Sequence, residues 1–166
     1  MTIPLINPRD LKFQLYELLD TENLPQRPRF AEHSRETFDA AIDTAQRVAE
    51  QYFAPHNREL DENEPTFDGK RVSIIPPVKV ALEAFADAGF LAAHHDHALG
   101  GMQLPQIIVQ ACQAFFQAAN IATSSYSFLT GAAANVIQHF GSDEQKQRFL
   151  APMLDGRYTG TMALTE

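Results

Sequence analysis

Apolar residues recur along most of this chain at helical spacing, and breaks in that spacing divide it into successive amphipathic segments. Asp10 to Asp20 predicts a short helix with Leu11, Leu15, Leu18 and Leu19 on one face, and the run from Leu24 to Pro28 breaks it into a linker. From Ser34 to Asn57 the apolar positions are Phe38, Ala41, Ile42, Ala45, Val48, Ala49, Tyr52 and Phe53. That unbroken series predicts one long helix, kinked at Pro55. The stretch from Asp61 to Ile75 is acidic, then holds Asp68-Gly69, and reads as a loop. Pro76-Pro77 opens the next helix, with Val78, Ala81, Leu82 and Phe85 inward and Gly89 near its end.

Pro105 opens a further helix, striped by Ile107, Ile108, Ala111, Cys112, Phe115, Phe116 and Ala119. Small hydroxyl residues from Asn120 to Ser127 interrupt the pattern, which resumes at Leu129, Ala132, Ala133, Val136, Ile137 and Phe140. Gly141 ends that helix. Ser142 with Gln145 then forms a capping box, and Asp143 and Glu144 place negative charge in the first turn. Phe149, Leu150, Met153 and Leu154 form the inward stripe, Asp155-Gly156 turns the chain, and Tyr158 to Leu164 alternates weakly, as a strand does. The expected fold is an all-α helical bundle of about five or six helices with one C-terminal β-strand. Residues 1–30 read as an extension with a short helix, 31–157 as the helical domain, and 158–166 as the first strand of a further β-domain. A lone strand leaves its backbone unpaired, so more chain is expected downstream.

Composition narrows the class. The 166 residues are 45% hydrophobic and 20% charged, which is a folded chain rather than a disordered one. The formal charge is −8, and no run of Lys or Arg exceeds two, which disfavours nucleic acid and anionic membranes as partners. The single cysteine, Cys112, excludes an intrachain disulfide and fits a reducing compartment. The N-terminus lacks a basic region followed by an apolar core, and nothing approaches the roughly 20 apolar residues of a membrane span. These features predict a soluble, cytoplasmic chain.

Candidate chemistry is sparse. His94-His95-Asp96-His97 has ligand types suited to zinc or nickel, but adjacent residues in one loop rarely converge on one ion. The expectation is a solvated loop and no metal. No Glu is followed three residues later by His, which removes a di-iron bundle. Cys112 sits on an apolar helical face without a basic neighbour at helical spacing, as a structural thiol does. Ser124, Ser125 and Ser127 lack a visible base and a G-x-S-x-G context. Neither a G-x-G-x-x-G nor a Walker loop occurs. The hydroxyl-rich stretch from Thr123 to Thr130 reads either as a packing kink or as part of a pocket.

Two motifs carry a resemblance. Gly141 to Leu150 follows the pattern G-x-D-E-Q-K-x-x-[FY]-L, and Ala163-Leu164-Thr165-Glu166 reads small, aliphatic, hydroxyl, acidic. At this spacing the pair resembles the junction between the N-terminal helical domain and the middle β-domain of the acyl-CoA dehydrogenase family. The resemblance covers most of the chain, and a subset of larger relatives carries a similar extra N-terminal segment. It implies an FAD-dependent enzyme that desaturates an acyl-CoA thioester between Cα and Cβ. A carboxylate base removes the α-proton while hydride leaves to flavin N5.

In that family the base is a Glu of the C-terminal helical domain, so no catalytic residue is expected in this chain. Glu166 belongs to the flavin-loop motif instead. The resemblance implies that Ser124, Ser125, Phe128 and Ala132 shape the acyl pocket, with Phe128 limiting its depth. It places Met162, Leu164 and Thr165 along the flavin ring, although many relatives carry an aromatic residue where Met162 stands. The loop holding Gly100-Gly101 falls near the acyl-CoA cleft. Expected partners are acyl-CoA, an electron-transfer partner and further copies of the chain in a homo-oligomer. An acyl-CoA oxidase or other flavoprotein of the same fold shares these motifs, and a non-catalytic helical interaction module is the alternative from another class.

Overall fold

The computed structural model describes residues 4–161 and 163. Its centre is aromatic: Phe53, Phe85, Phe90 and Phe116 meet with ring centroids 4.7–6.3 Å apart. Phe116 touches all three of the others, and the segments carrying these rings are ordered around it. Tilted and edge-on ring pairs of this kind add to the area they bury.

Helix α1 (Pro8–Lys12) is capped by Asn7 and continues as a π-turn over Phe13–Leu18. The wider winding turns a different face inward, so Leu15 and Tyr16 are buried whereas Leu18 is 66% exposed. The single-faced leucine stripe expected here is therefore corrected. Tyr16 donates to Asp39 at 2.8 Å, and the Arg35 guanidinium lies 4.2 Å from the centre of its ring. Both partners sit on α2 (Arg35–Val48), which begins at a capping box between Ser34 and Thr37.

The helix expected from Ser34 to Asn57 is continuous but changes winding. After α2 come a π-turn (Ala49–Phe53), a 3-10 turn (Ala54–His56) and then α3 (Asn57–Glu62). Pro55 lies at this change, where its missing N–H breaks the regular ladder. The segment read as a loop holds a short antiparallel hairpin, β1 (Thr66–Phe67) and β2 (Val72–Ser73), with Phe67 opposite Val72. Asp68 closes it by accepting from the Lys70 and Arg71 amides, and Gly69 takes a φ of +93°.

Helix α4 (Pro76–Asp87) buries Val78, Ala81 and Phe85 and stops at Gly89, φ +78°. Helices α5 (Gln106–Ala119) and α6 (Ile121–Phe140) meet at one residue, Asn120. Its side chain accepts from Thr123 N at 3.0 Å and donates to Phe53 O at 3.3 Å, which ties the corner to the end of the α2 π-turn. The interruption expected from Asn120 to Ser127 is thus a corner at Asn120, and α6 runs unbroken through the hydroxyl residues.

The predicted face of α6 is corrected in part: Ala133 and Ile137 of that stripe pack, partly buried, against the cluster of Ala92, Ala134, Leu150, Met153 and Leu154, but hydroxyl residues take the deepest positions. Thr123, Ser124, Ser127, Thr130 and Ala134 are buried, while Phe128, Val136 and Phe140 are 61%, 59% and 85% exposed. Burial is possible because the hydroxyls are satisfied. Ser124 donates to Ile121 O, Ser127 to Ser124 O and Thr130 to Tyr126 O, at 2.7–3.0 Å. Thr123 pairs with Nε2 of buried His56 at 2.9 Å.

Helix α7 (Asp143–Gln145) has the expected Ser142–Gln145 capping box. A π-turn (Lys146–Leu150) leads into α8 (Ala151–Leu154), where Leu150, Met153 and Leu154 pack with Ala92 and Ala134. Residues 158–161 and 163 take no strand conformation. Instead Tyr158 N donates to Pro152 O at 2.9 Å and Gly160 N to Thr130 Oγ1 at 3.1 Å, so the segment runs over α6. Pairing needs a neighbouring strand, and among the described residues none lies beside it.

Because Phe116 meets three other rings, Phe116→Ala should cost about 3–5 kcal/mol, read as a lowered urea midpoint. An unchanged midpoint would show that the aromatic contact does not organise the helices.

Candidate functional site

Helix α6 runs for 20 residues without a Lys, Arg, Asp or Glu. Desolvating its outer face therefore strips no charge, and that face is apolar. Phe128 and Ser125 lie on it, exposed, with Ala132 half-buried beside them. Ser124 does not join them: it is buried and bonded to its own helix. The four residues expected to shape a pocket are thus divided, three outward and one inward. Met162, Leu164 and Thr165, expected along a flavin, lie outside the described residues.

A cavity of about 160 Å³ opens between α5 and α6. Phe128 and Ala132 line it, as does Ser127, which the sequence reading left unassigned. Gln106, Gln110, Gln113 and Gln117 of α5 also line it. Their spacing along one helical face was visible in the sequence, but an amide column resembles any solvated helix face until its neighbour is known.

The loop after α4 supports this region. His94 Nε2 is 2.9 Å from Asn135 Oδ1 of α6, and Arg29 binds both the Asp96 carboxylate and His94 O. His97 Nδ1 is 3.0 Å from Gly101 O. Gly101 fits so tightly that a Cβ there would lie 2.0 Å from His95 O, whereas Gly100 has open space and is set by its φ of +77°. The expected solvated loop is corrected at His95, which is 1% exposed and stacked on His94 at 4.1 Å between centroids. Neither ring nitrogen of His95 has a hydrogen-bond partner among the described residues. Its pKa falls to about 4, chiefly through burial and then through the neighbouring His94, with Gln138 and Asp96 acting in the opposite direction. The described residues bring together no group of three side chains that could hold a metal ion. Burial also pushes the Cys112 thiol up to about 12, which leaves it protonated and unreactive.

The pattern that describes the acyl-CoA dehydrogenase N-terminal domain matches residues 35–157. The chain belongs to the acyl-CoA dehydrogenase family. Its relatives include the broad-specificity linear acyl-CoA dehydrogenase FadE5 of Mycobacterium tuberculosis, 32% identical over 96% of this chain. A butyryl-CoA dehydrogenase of Syntrophomonas wolfei is 31% identical over 95% of it, and the 3-methylmercaptopropionyl-CoA dehydrogenase of Ruegeria pomeroyi is 27% identical over 95%. The chain spans only 26–27% of the length of these three relatives. In this acyl-CoA dehydrogenase domain, no helix of the described residues is long and apolar enough to cross a membrane.

The buried histidine makes the domain acid-sensitive. His95 is held neutral when folded and gains a proton near its ordinary value of about 6.5 once exposed. Its contribution is complete above pH of about 6.5 and is lost as pH falls from there towards about 4. His56, lowered chiefly by burial, acts with the same sign. Urea midpoints measured between about pH 7.5 and pH 4.5 should fall less steeply for His95→Leu than for the native chain. Equal slopes would mean that His95 does not titrate between the folded and unfolded states.

Proposed function

We propose that the outer face of α6 forms one wall of the acyl-chain cleft in a full-length, FAD-dependent acyl-CoA dehydrogenase that desaturates acyl-CoA thioesters. The observation that carries this is the exposure of Phe128, Val136 and Phe140 on a helix without a charged residue. Such a face excludes water from whatever covers it, and a dry cleft is what holding a thioester beside a base and an oxidant requires. Ser125, Phe128 and Ala132 contribute to the wall, with Phe128 setting its depth. Ser124 acts from behind by supporting the helix.

The described residues beside the expected flavin edge do not by themselves fit FAD. The cavity against Tyr158 and Thr159 measures about 30 Å³, a fraction of the roughly 300–1,000 Å³ typical of a ligand site. This chain would therefore give the cofactor one edge, through Met162, Leu164 and Thr165. The catalytic base, the electron-transfer partner and the oligomer contacts belong to the remainder of the full-length protein, a cytoplasmic enzyme in this reading.

Two measurements test it. In the full-length enzyme, Phe128→Ala should raise the ratio of kcat/KM for dodecanoyl-CoA over butyryl-CoA by about tenfold or more, since removing the ring frees depth for several methylenes. An unchanged ratio would remove Phe128 from the cleft. The 166-residue chain, mixed with excess FAD and gel filtered, should retain no flavin absorbance. Stoichiometric retention would overturn the view that it supplies only an edge.

A further inference from the structure

The hairpin of β1 and β2 stands clear of the helical core. Every residue from Asp61 to Ser73 is exposed, and the two strands pair only with each other. Phe67 and Val72 are direct partners in the register, so their side chains share one face of the hairpin. They are 68% and 64% exposed. A lone two-stranded hairpin is marginally stable at best in water, and an apolar pair on its surface stabilises it only when something covers that face. Among the described residues nothing does.

The charges of this segment are separated along its length. Asp61, Glu62 and Glu64 lead into β1, while Lys70 and Arg71 stand at the turn. Asp68, the one acid of the turn, is engaged by the Lys70 and Arg71 amides. Arg58 pairs with Glu62 at 2.8 Å. Asp61, Glu64, Lys70 and Arg71 form no ion pair among the described residues. An acidic lead-in and a basic turn on either side of an apolar pair make a surface that complements itself.

We propose that this hairpin docks face to face on the hairpin of a second copy of the chain, about a two-fold axis across the strands. Phe67 and Val72 of each copy then cover those of the other. The antiparallel arrangement sets the basic turn of one copy against the acidic lead-in of the other, and the symmetry makes that contact twice. A parallel arrangement would set turn against turn and oppose like charges, so the charges fix the orientation. The patch is far smaller than a standard interface, so the pairing is weak. It is additional to the oligomer contacts that belong to the remainder of the full-length protein, and it does not depend on the reading of α6.

Sedimentation equilibrium of the 166-residue chain, at concentrations up to about 1 mM, should show a monomer–dimer equilibrium. Phe67→Ser should weaken it by about tenfold or more. Two charge-reversed variants test the register: Lys70→Glu with Arg71→Glu, and Asp61→Lys with Glu64→Lys. Each alone should lose the dimer, since turn and lead-in then repel. An equimolar mixture of the two should recover it, because each supplies the charge that the other lacks. All the substituted side chains are exposed, and unchanged urea midpoints establish that the variants fold. A native chain that stays monomeric overturns the pairing. So does a dimer that survives both reversals, which would place the contact on another face such as that of α6, or a mixture that stays monomeric.

Discussion

The buried edge of α6 is the constraint on which the other parts depend. Thr123, Ser124, Ser127 and Thr130 would be poor core residues if their hydroxyls needed outside partners. Three of them are bonded to carbonyls of their own helix, and Thr123 is held by His56. Once satisfied in this way, they present small side chains that let neighbouring segments come close. The segment at Gly160 lies so near α6 that an added Cβ would stand 2.6 Å from Ala133 Cβ. Turning the hydroxyl edge inward leaves Phe128, Val136 and Phe140 of the same helix outward. The apolar face is thus a by-product of how the domain closes.

Much of this was legible in the residues themselves. Pro76 and Gly89 bound α4, Pro105 precedes α5, and Ser142 with Gln145 caps α7, because local steric and hydrogen-bonding rules act within a few residues. The Phe38-to-Phe53 stripe was readable for the same reason: its period survives the π-turn that follows α2. The face of α6 was not readable. Periodicity separates two faces of a helix, but the hydroxyl edge becomes buriable only through bonds to its own backbone, which no count of apolar positions reveals. At Phe13–Leu18 the period itself misled, since the π-turn rotates the side chains away from the α-helical expectation.

The loop from His94 to Leu104 shows the same limit at a candidate site. Three histidines and an aspartate in four positions read as polar and exposed, yet His95 is enclosed between its neighbours. The loop that carries it is tied down from a distance in sequence: Arg29 binds Asp96, His33 meets Gln103 O, and Asn135 of α6 meets His94. Gly101 makes the enclosure possible by passing close to His95 O. The motifs at 141–150 and 163–166 together pointed to the family while saying nothing of the pocket between α5 and α6, which depends on how two helices meet at Asn120.

Cys112 has been treated above as inert packing, and its isolation gives it another use. It is the only thiol in the chain, it sits at the centre of α5, and its sulfur is sealed from solvent. A thiol reagent can reach it only when α5 parts from the rings around it. Its rate of capture therefore counts those openings directly, as an internal clock for the breathing of the core.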